Sequence, residues 1–384
     1  MAPVIKKLRE LDLFLICLIL LLAICGAINL YSAGLVRPDH VSANLSLVDK
    51  FLSSPVFVKQ LLFYGVGFVI MLIFAFVPSQ FWHKIAPYLY GLCLFCLILV
   101  FFFGVIQNGS KRWLNIFGFR WQPSEVMKYA VILMTAWIIA KFPPAPKGYT
   151  LRELLLPILI IAIPFLFVAK QPDLGTALVL AIVPGAMLIF VGVRRFVLLF
   201  SILFLLLVIP LGWNKLHEYQ KRRVLTLLNP ESDPRGSGYH ILQSQIAIGS
   251  GRLLGKGFTK GTQSQLEFLP EHSTDFIFSV LAEEWGFVGA FFVILLYGVF
   301  ILHLYMMVFK THSAFEALIV FGITTQIFVN FAINLGMVIG FFPVVGIPFP
   351  LLSAGGSATI STLLALGIVL NVTRKLRFKE LMFA

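Results

Sequence analysis

Apolar and polar positions along this chain fall into long blocks, with apolar stretches separated by short polar connections. An apolar stretch of roughly 20 residues is long enough to cross a bilayer as an α-helix. Such stretches lie near 12–34, 56–77, 84–106, 123–140, 154–169, 173–193, 196–212, 276–308, 314–337 and 354–372. The pattern predicts an all-α polytopic membrane protein with ten transmembrane helices.

Composition supports the same class and excludes an ordinary water-soluble protein. Of the 384 residues, 59% are hydrophobic and only 12% are charged, whereas soluble domains carry about 25% charged residues. The four cysteines, Cys17, Cys25, Cys93 and Cys96, all lie in apolar stretches. No His or second pair accompanies the C-x-x-C of Cys93 and Cys96, which favours core packing over redox or metal chemistry for that pair. We therefore expect a single transmembrane domain over residues 1–384.

The net charge of +13 must be divided between the two sides of the bilayer before it suggests a partner. With the N-terminus inside, fourteen Lys and Arg residues lie on the inner side, and eight of the sixteen outer ones lie in a single long loop, 213–275. Loops of that length are largely exempt from the positive-inside rule. Both termini are therefore expected to be cytoplasmic, with the long loop outside and no nucleic-acid partner.

Charged residues inside membrane spans are costly and therefore mark candidate functional positions. Glu125 and Lys128 are three residues apart at the start of the fourth span, so they share one helical face and can form an ion pair. Asp173 follows Pro172 in a tight turn, where it either caps the sixth span or contacts substrate or a cation. Both a structural and a functional role stay open for these residues.

The long outer loop carries most of the remaining polar chemistry. Leu216, Tyr219, Arg223 and Leu227 recur at helical spacing, which predicts an amphipathic helix on the membrane surface. The glycine-rich run 249–257 lacks the spacing and the final Ser or Thr of an ATP-binding loop, so no nucleotide cofactor is expected. With the basic residues that it carries, this run is still suited to holding a phosphate group.

Acidic residues continue from the end of the loop into the eighth span. Asp275 is placed at the start of that span, where it either interacts with the helix dipole or acts chemically. Glu283 and Glu284 lie about two turns further along, at lipid depth, and must face protein or water. We therefore expect a polar cavity below Asp275, with the broken segment 340–356 as a re-entrant wall of the same site.

The motifs together resemble those of the SEDS family of bacterial glycan polymerases. They are Lys111-Arg112-Trp113-Leu114, Gln122-Pro123-Ser124-Glu125 with Lys128, Gln171 to Thr176, His217 to Arg223, Asn229-Pro230, Gly238-Tyr239-His240, Gln243-Ser244 and Gly261 to Glu284. The last motif is the most specific and resembles the cell-elongation branch of the family more than its cell-division branch. Ala354 departs from the pattern, because the family usually has tyrosine there.

The resemblance implies a fold, an activity and a set of partners. The fold is ten spans in the bacterial cytoplasmic membrane, and the activity is polymerisation of lipid II on the outer face, with release of undecaprenyl pyrophosphate. The partners are lipid II, the nascent glycan strand, membrane lipid, a class B penicillin-binding protein and scaffold proteins of the elongation complex. A divalent cation, Mg²⁺ or Mn²⁺, is expected as a cofactor, with Glu125 and Asp173 as its candidate ligands.

The resemblance and the residue types together define the candidate site residues. The catalytic candidate is Asp275, as the base that takes the proton of an acceptor hydroxyl. Substrate contacts are expected at Arg112, Glu125, Lys128, Asp173, Arg252, Lys256, Gln263, Ser264, Gly355 and Gly356. A lipid II flippase and a scaffold for a transpeptidase are the alternative functions.

Overall fold

The computed structural model describes residues 10–35, 54–107, 110–116, 118–213, 218–233, 236–266, 268–269, 271–311 and 313–383. In this part of the chain, ten helices are long and apolar enough to cross a membrane, which confirms the predicted number. These helices are α1 (Leu13–Ala33), α2 (Pro55–Ala75), α3 (Ser79–Phe103), α4 (Pro123–Lys141), α5 (Leu151–Lys170), α6 (Leu174–Val191), α7 (Arg195–Trp213), α11 (Ile277–Lys310), α12 (Ala314–Ile339) and α13 (Gly356–Phe383).

The shorter elements lie in the connections between these helices. They are β1 (Val105–Gln107), β2 (Ser110–Ile116), β3 (Phe119–Trp121), α8 (Glu218–Leu228), the 3₁₀ turn Pro230–Ser232, α9 (Ser237–Ser250) and α10 (Thr262–Gln265). Helix α8 lies where the amphipathic helix of the long loop was predicted, and its place on the membrane surface stays a prediction. His217 and the rest of 214–217 lie outside the described residues. The three-stranded antiparallel sheet β1-β2-β3 was not predicted.

The chain forms two compact units. The first unit consists of Met1–Phe81, His240–Phe342 and Gly346–Ala384, and the second of Trp82–Tyr239 and Pro343–Val345. The single domain expected over residues 1–384 stays a prediction beside this division.

In the second unit, α4 is the most buried of the membrane helices and packs among α3, α5 and α6. Their apolar core includes Cys93, which confirms core packing for that cysteine. Pro123 occupies the first turn of α4, where a missing backbone N–H has no cost. The helix therefore begins at the Gln122-Pro123-Ser124-Glu125 motif, as predicted, and carries Glu125 and Lys128 into the buried core.

In the first unit, α2 and α13 lie in close contact through small residues. A Cβ atom on Gly67 would come within 2.4 Å of Leu363, and one on Gly367 within 2.5 Å of the Met71 carbonyl. Small residues allow helices to approach closely in this way. Asn371 Nδ2 also donates to the Ala75 carbonyl at 2.9 Å. The segment 346–356 leads directly into α13, which begins at Gly356.

Candidate functional site

Asp275 lies in a turn that immediately precedes α11 in the first unit. Its side chain is half-buried, and its backbone N–H donates to the Glu271 carbonyl at 3.1 Å. Its carbonyl accepts a hydrogen bond from Asn334 Nδ2 at 3.0 Å. Since Asn334 Nδ2 also donates to the Ile347 carbonyl at 2.7 Å, one buried amide ties the Asp275 turn to the segment after α12.

The segment 346–356 packs directly against the turn that carries Asp275. Ser353 Oγ donates to the Thr274 carbonyl at 2.5 Å, and the Ala354 N–H donates to the Ser273 carbonyl at 2.9 Å. A Cβ atom on Gly346 would lie 3.4 Å from Asp275 Oδ2, so the absence of a side chain at Gly346 leaves room beside the carboxylate. The structure thus places this part of the predicted wall next to Asp275.

Gly355 and Gly356 lie at the end of the same wall and have different roles. The Gly355 N–H donates to Gln60 Oε1 at 3.1 Å. A Cβ atom on Gly356 would come within 2.6 Å of the Phe63 ring, so this glycine permits close contact between α13 and α2. Both positions are explained by packing, and a contact with substrate stays a prediction for each.

The basic residues of the glycine-rich loop have distinct environments in the first unit. Arg252 and Lys260 are exposed, whereas Lys256 Nζ lies 2.6 Å from Glu283 Oε1 in an ion pair. Gln263 donates its backbone N–H to the same carboxylate, and its buried Oε1 has no partner among the described residues. Ser264 lies in α10, but its side chain lies outside the described part of the structure.

The second unit contains a polar cluster built from β2, the start of α4 and the start of α6. Arg112, on β2, lies 3.5 Å from Asp173 Oδ2, and Gln122 Nε2 donates to the same oxygen at 3.2 Å. Asp173 Oδ1 accepts the Thr176 N–H at 3.2 Å, which confirms that Asp173 caps the sixth span. Arg112 Nε is buried and has no partner among the described residues, so one N–H donor of the guanidinium is unsatisfied.

Glu125 and Lys128 form the second charged pair of this unit. Lys128 Nζ lies 2.9 Å from Glu125 Oε1, and the two side chains are only 3% and 6% exposed. The predicted i, i+3 pair is therefore confirmed as a contact. Its low exposure means that neither charge is compensated by water.

The expected divalent cation requires oxygen ligands that the described residues do not bring together. Within the described part of the chain, no three His, Cys, Asp or Glu side chains lie close enough to hold a metal ion. The carboxylates of Glu125 and Asp173 already face Lys128 and Arg112. The residues present thus do not fit a resident cation at these carboxylates, and no catalytic step is assigned to one.

Two residues near Asp275 were missed from the sequence. Asn334, which holds the Asp275 turn, had a signal, because a fully buried amide within an apolar span is costly unless it is hydrogen-bonded. His272 had none. Its two ring nitrogens each lie 2.9 Å from a carbonyl oxygen, that of Leu269 and that of Ala33, and only the fold brings Ala33 there.

Comparison with known proteins agrees with this architecture. The family model of the FtsW, RodA and SpoVE cell cycle proteins matches residues 12–378. Peptidoglycan glycosyltransferase MrdB of Escherichia coli K12 is 43% identical over 80% of this chain and 83% of its own length. Stage V sporulation protein E of Bacillus subtilis is 36% identical over 96% of this chain and 98% of its own length.

Solved structures show the same fold. A chain of a peptidoglycan synthase complex, described as coordinating polymerization and crosslinking, matches with a TM-score of 0.78 and 29% identity, covering 95% of this chain and 98% of that one. The rod shape determining protein RodA of Thermus thermophilus matches with a TM-score of 0.68 and 26% identity, covering 95% and 97%. The chain belongs to the FtsW/RodA/SpoVE family, which is the SEDS family that its motifs indicated.

Proposed function

We infer that this chain is the peptidoglycan glycosyltransferase of cell elongation, which polymerises lipid II into glycan strands and releases undecaprenyl pyrophosphate. The observation that carries the activity is the 43% identity, over 80% of the chain, to a protein named as a peptidoglycan glycosyltransferase. The likeness to a rod shape determining protein supports elongation as the process. Ten membrane-spanning helices suit an enzyme whose substrate carries a lipid tail.

Asp275 is the proposed base of the reaction. A carboxylate within reach of an acceptor hydroxyl typically contributes 10²–10⁴-fold as a general base. The half-buried Asp275 side chain is supported by a fixed backbone, because Asn334 and Ser353 hold the carbonyls of Asp275 and Thr274. A base held in this way loses little freedom when the acceptor binds.

In the proposed step, Asp275 takes the proton of the sugar 4-hydroxyl of incoming lipid II as that oxygen attacks the anomeric carbon of the growing strand. The new bond joins the acceptor oxygen to the anomeric carbon, and the bond from that carbon to the pyrophosphate oxygen breaks. The electron pair leaves with undecaprenyl pyrophosphate. A single displacement inverts the anomeric configuration and requires no covalent enzyme intermediate.

Cations are proposed to stabilise the charge that develops on the leaving pyrophosphate. Preorganised positive groups are often the largest contribution to such catalysis. Within the unit that carries Asp275, Arg252 fits this role because it is exposed. Lys256 of the same unit already faces Glu283, so it must share its charge with a carboxylate.

The base assignment is tested with purified protein and lipid II. We expect Asp275→Asn to abolish glycan polymer formation, while its thermal unfolding midpoint in detergent stays at the value of the parent chain. The control is Glu153→Gln, which alters an exposed carboxylate at the start of α5 in the other unit. This variant should polymerise normally, and full activity in Asp275→Asn would refute the base assignment.

Lipid II polymerisation measured in proteoliposomes distinguishes a polymerase from a flippase. A flippase would move labelled lipid II across proteoliposome membranes without forming polymer, whereas the enzyme proposed here forms polymer from lipid II presented on one face. Polymer formation that depends on Asp275 supports the enzyme. Movement of lipid II without polymer would favour the transporter.

The orientation of the chain in the membrane and its partner proteins are part of the same proposal. Both termini are expected in the cytoplasm of a bacterial cell and Asp275 on the outer face. A cysteine introduced at the exposed Glu231 of the long loop, in a chain without native cysteines, should react with an impermeant maleimide from outside spheroplasts. A class B penicillin-binding protein is the proposed partner, together with elongation scaffold proteins. Co-purification of the chain with its co-expressed transpeptidase tests this.

A further inference from the structure

Helix α11 is broken at Gly286, about one quarter of the way along its length. Gly286 has φ 65° and ψ −165°, a conformation that side-chain-bearing residues rarely adopt. In an unbroken helix, the N–H groups of Phe287 and Val288 would bond to the carbonyls of Glu283 and Glu284. The break leaves these four backbone groups without their helical partners inside a candidate membrane span. An unsatisfied backbone group in the hydrocarbon core of a bilayer costs several kcal/mol.

The loop 251–263, here called the inserted loop, satisfies all four groups with its own backbone. Phe287 N–H donates to the Arg252 carbonyl at 2.8 Å, and Val288 N–H donates to the Leu253 carbonyl at 3.1 Å. In return, the N–H groups of loop residues 256 and 257 each donate at 3.0 Å, the first to the Glu283 carbonyl and the second to the Glu284 carbonyl. The inserted loop therefore replaces one turn of helical hydrogen bonding.

Glycines allow the inserted loop to approach the helix backbone this closely. A Cβ atom on Gly251 would lie 2.0 Å from the Ala282 carbonyl oxygen, and one on Gly255 would lie 2.0 Å from the Glu284 carbonyl oxygen. Real side chains do not tolerate such distances. The glycine-rich run that suggests a phosphate loop in the sequence is thus explained by contact with the broken helix.

The fully buried carboxylate of Glu283 holds the far end of the inserted loop. It accepts the Thr262 N–H at 2.9 Å and the Gln263 N–H at 3.1 Å, both on Oε1. Thr262 Oγ1 donates to the same oxygen at 3.0 Å, and Lys256 Nζ lies 2.6 Å away. The Glu283 carboxylate thus interacts with a cation, a hydroxyl and two backbone amides. An ionised carboxylate suits these donors because it has only hydrogen-bond acceptors.

A series of contacts leads from Gln263 to the turn that carries Asp275. The Leu269 N–H donates to the backbone carbonyl of Gln263 at 3.2 Å. The backbone carbonyl of the fully buried Leu269 in turn lies 2.9 Å from His272 Nδ1. The Glu271 carbonyl then accepts the Asp275 N–H. Glu283 lies eight residues after Asp275, inside α11, whereas Asp275 lies in the turn before that helix.

We propose that Glu283 is a positioning residue for the transferase reaction, which fixes the inserted loop in the break of α11 and through it the backbone of Asp275. This inference rests on the proposed role of Asp275 as the base. The neighbouring Glu284 secures the same loop to α1, since its Oε1 accepts from Ser32 Oγ and from the Gly261 N–H.

Two substitutions at Glu283 test the proposal with hydrogen–deuterium exchange and with lipid II polymerisation kinetics. Glu283→Ala removes every acceptor, so the amides of Thr262 and Gln263 should exchange faster. Its kcat should fall by about 10–100-fold with little change in KM, because a small misplacement of a catalytic group costs up to about 100-fold in rate. Glu283→Gln keeps one acceptor oxygen, so it should recover part of the kcat and part of the protection.

The matched control is Glu153→Ala, which removes an exposed carboxylate from the other unit and should alter neither the exchange of the inserted loop nor kcat. Normal kcat in a folded Glu283 variant, or a change confined to KM, would overturn the positioning role. If Glu283→Ala does not fold, Glu283→Gln carries the same comparison. Asp275→Asn should be inactive with the loop amides still protected, so that a failure of the base is distinguishable from a failure of positioning.

Discussion

Replacement of Lys128 by methionine tests the electrostatics of the α4 pair directly. Lys128 Nζ and Glu125 Oε1 are 2.9 Å apart, with side chains 3% and 6% exposed. Methionine has a similar length and is apolar, so Lys128→Met preserves packing while it removes the positive charge. Glu125 then remains as a buried carboxylate without its cation.

The expected cost is large because water does not reach the pair. Removing one partner of a buried ion pair typically costs about 3–5 kcal/mol, since an uncompensated charge is left in a medium of low polarity. When both charges are removed, the same principle predicts a change close to zero, because the desolvation cost disappears with the attraction. Glu125→Met combined with Lys128→Met should therefore be nearly as stable as the parent chain.

Thermal unfolding in detergent, at one fixed scan rate, measures this effect for the parent, the single variant and the double variant. Polymerisation of lipid II is measured on the same samples. The reasoning predicts a clearly lowered midpoint for Lys128→Met and a restored midpoint for the double variant. If the double variant is stable but inactive, the pair is also needed for the reaction itself. A single variant with an unchanged midpoint would refute the claim that the pair is buried and unscreened.

Two further substitutions and one control test the geometry around the broken helix and the Asp275 turn. Gly255→Ala should prevent normal folding, because its Cβ would lie 2.0 Å from the Glu284 carbonyl oxygen and the φ angle of this residue is +79°. The control is Gly249→Ala on helix α9, where no atom lies within 4 Å of the added Cβ. This control should be neutral or should stabilise the protein by up to about 1 kcal/mol. Yields of folded monomer on size exclusion separate them, and equal yields would contradict the close approach. Asn334→Ala should lower the free energy of unfolding by about 1–3 kcal/mol, because it leaves the carbonyls of Asp275 and Ile347 without their donor. It should also lower kcat, and a kcat equal to that of the parent would show that the Asp275 backbone needs no such support.

Much of the fold could be predicted because the bilayer imposes a local rule. Each span must be apolar over about 20 residues, so the ten helices, Pro123 at the start of α4 and the cap at Asp173 follow from short windows of sequence. The spacing of Glu125 and Lys128 likewise determines their contact, because three residues along a helix bring side chains to the same face.

The small sheet was missed for a physical reason. Strands β1 to β3 are three to seven residues long and lie between two apolar spans. Strands so short are stabilised by their neighbours rather than by their own sequence pattern. The sheet nevertheless determines where Arg112 points, which the sequence motif alone leaves open.

What the sequence by itself determined is therefore the class of membrane protein, the number of spans, the family and the acidic and basic residues to consider. The tertiary structure alone decided that Glu283 binds the inserted loop and that Lys256 is its ion partner. These contacts join residues 20 or more positions apart. The physical reason is that helix periodicity acts within a few residues, whereas a broken helix can draw its missing hydrogen bonds from any segment that the fold brings to it.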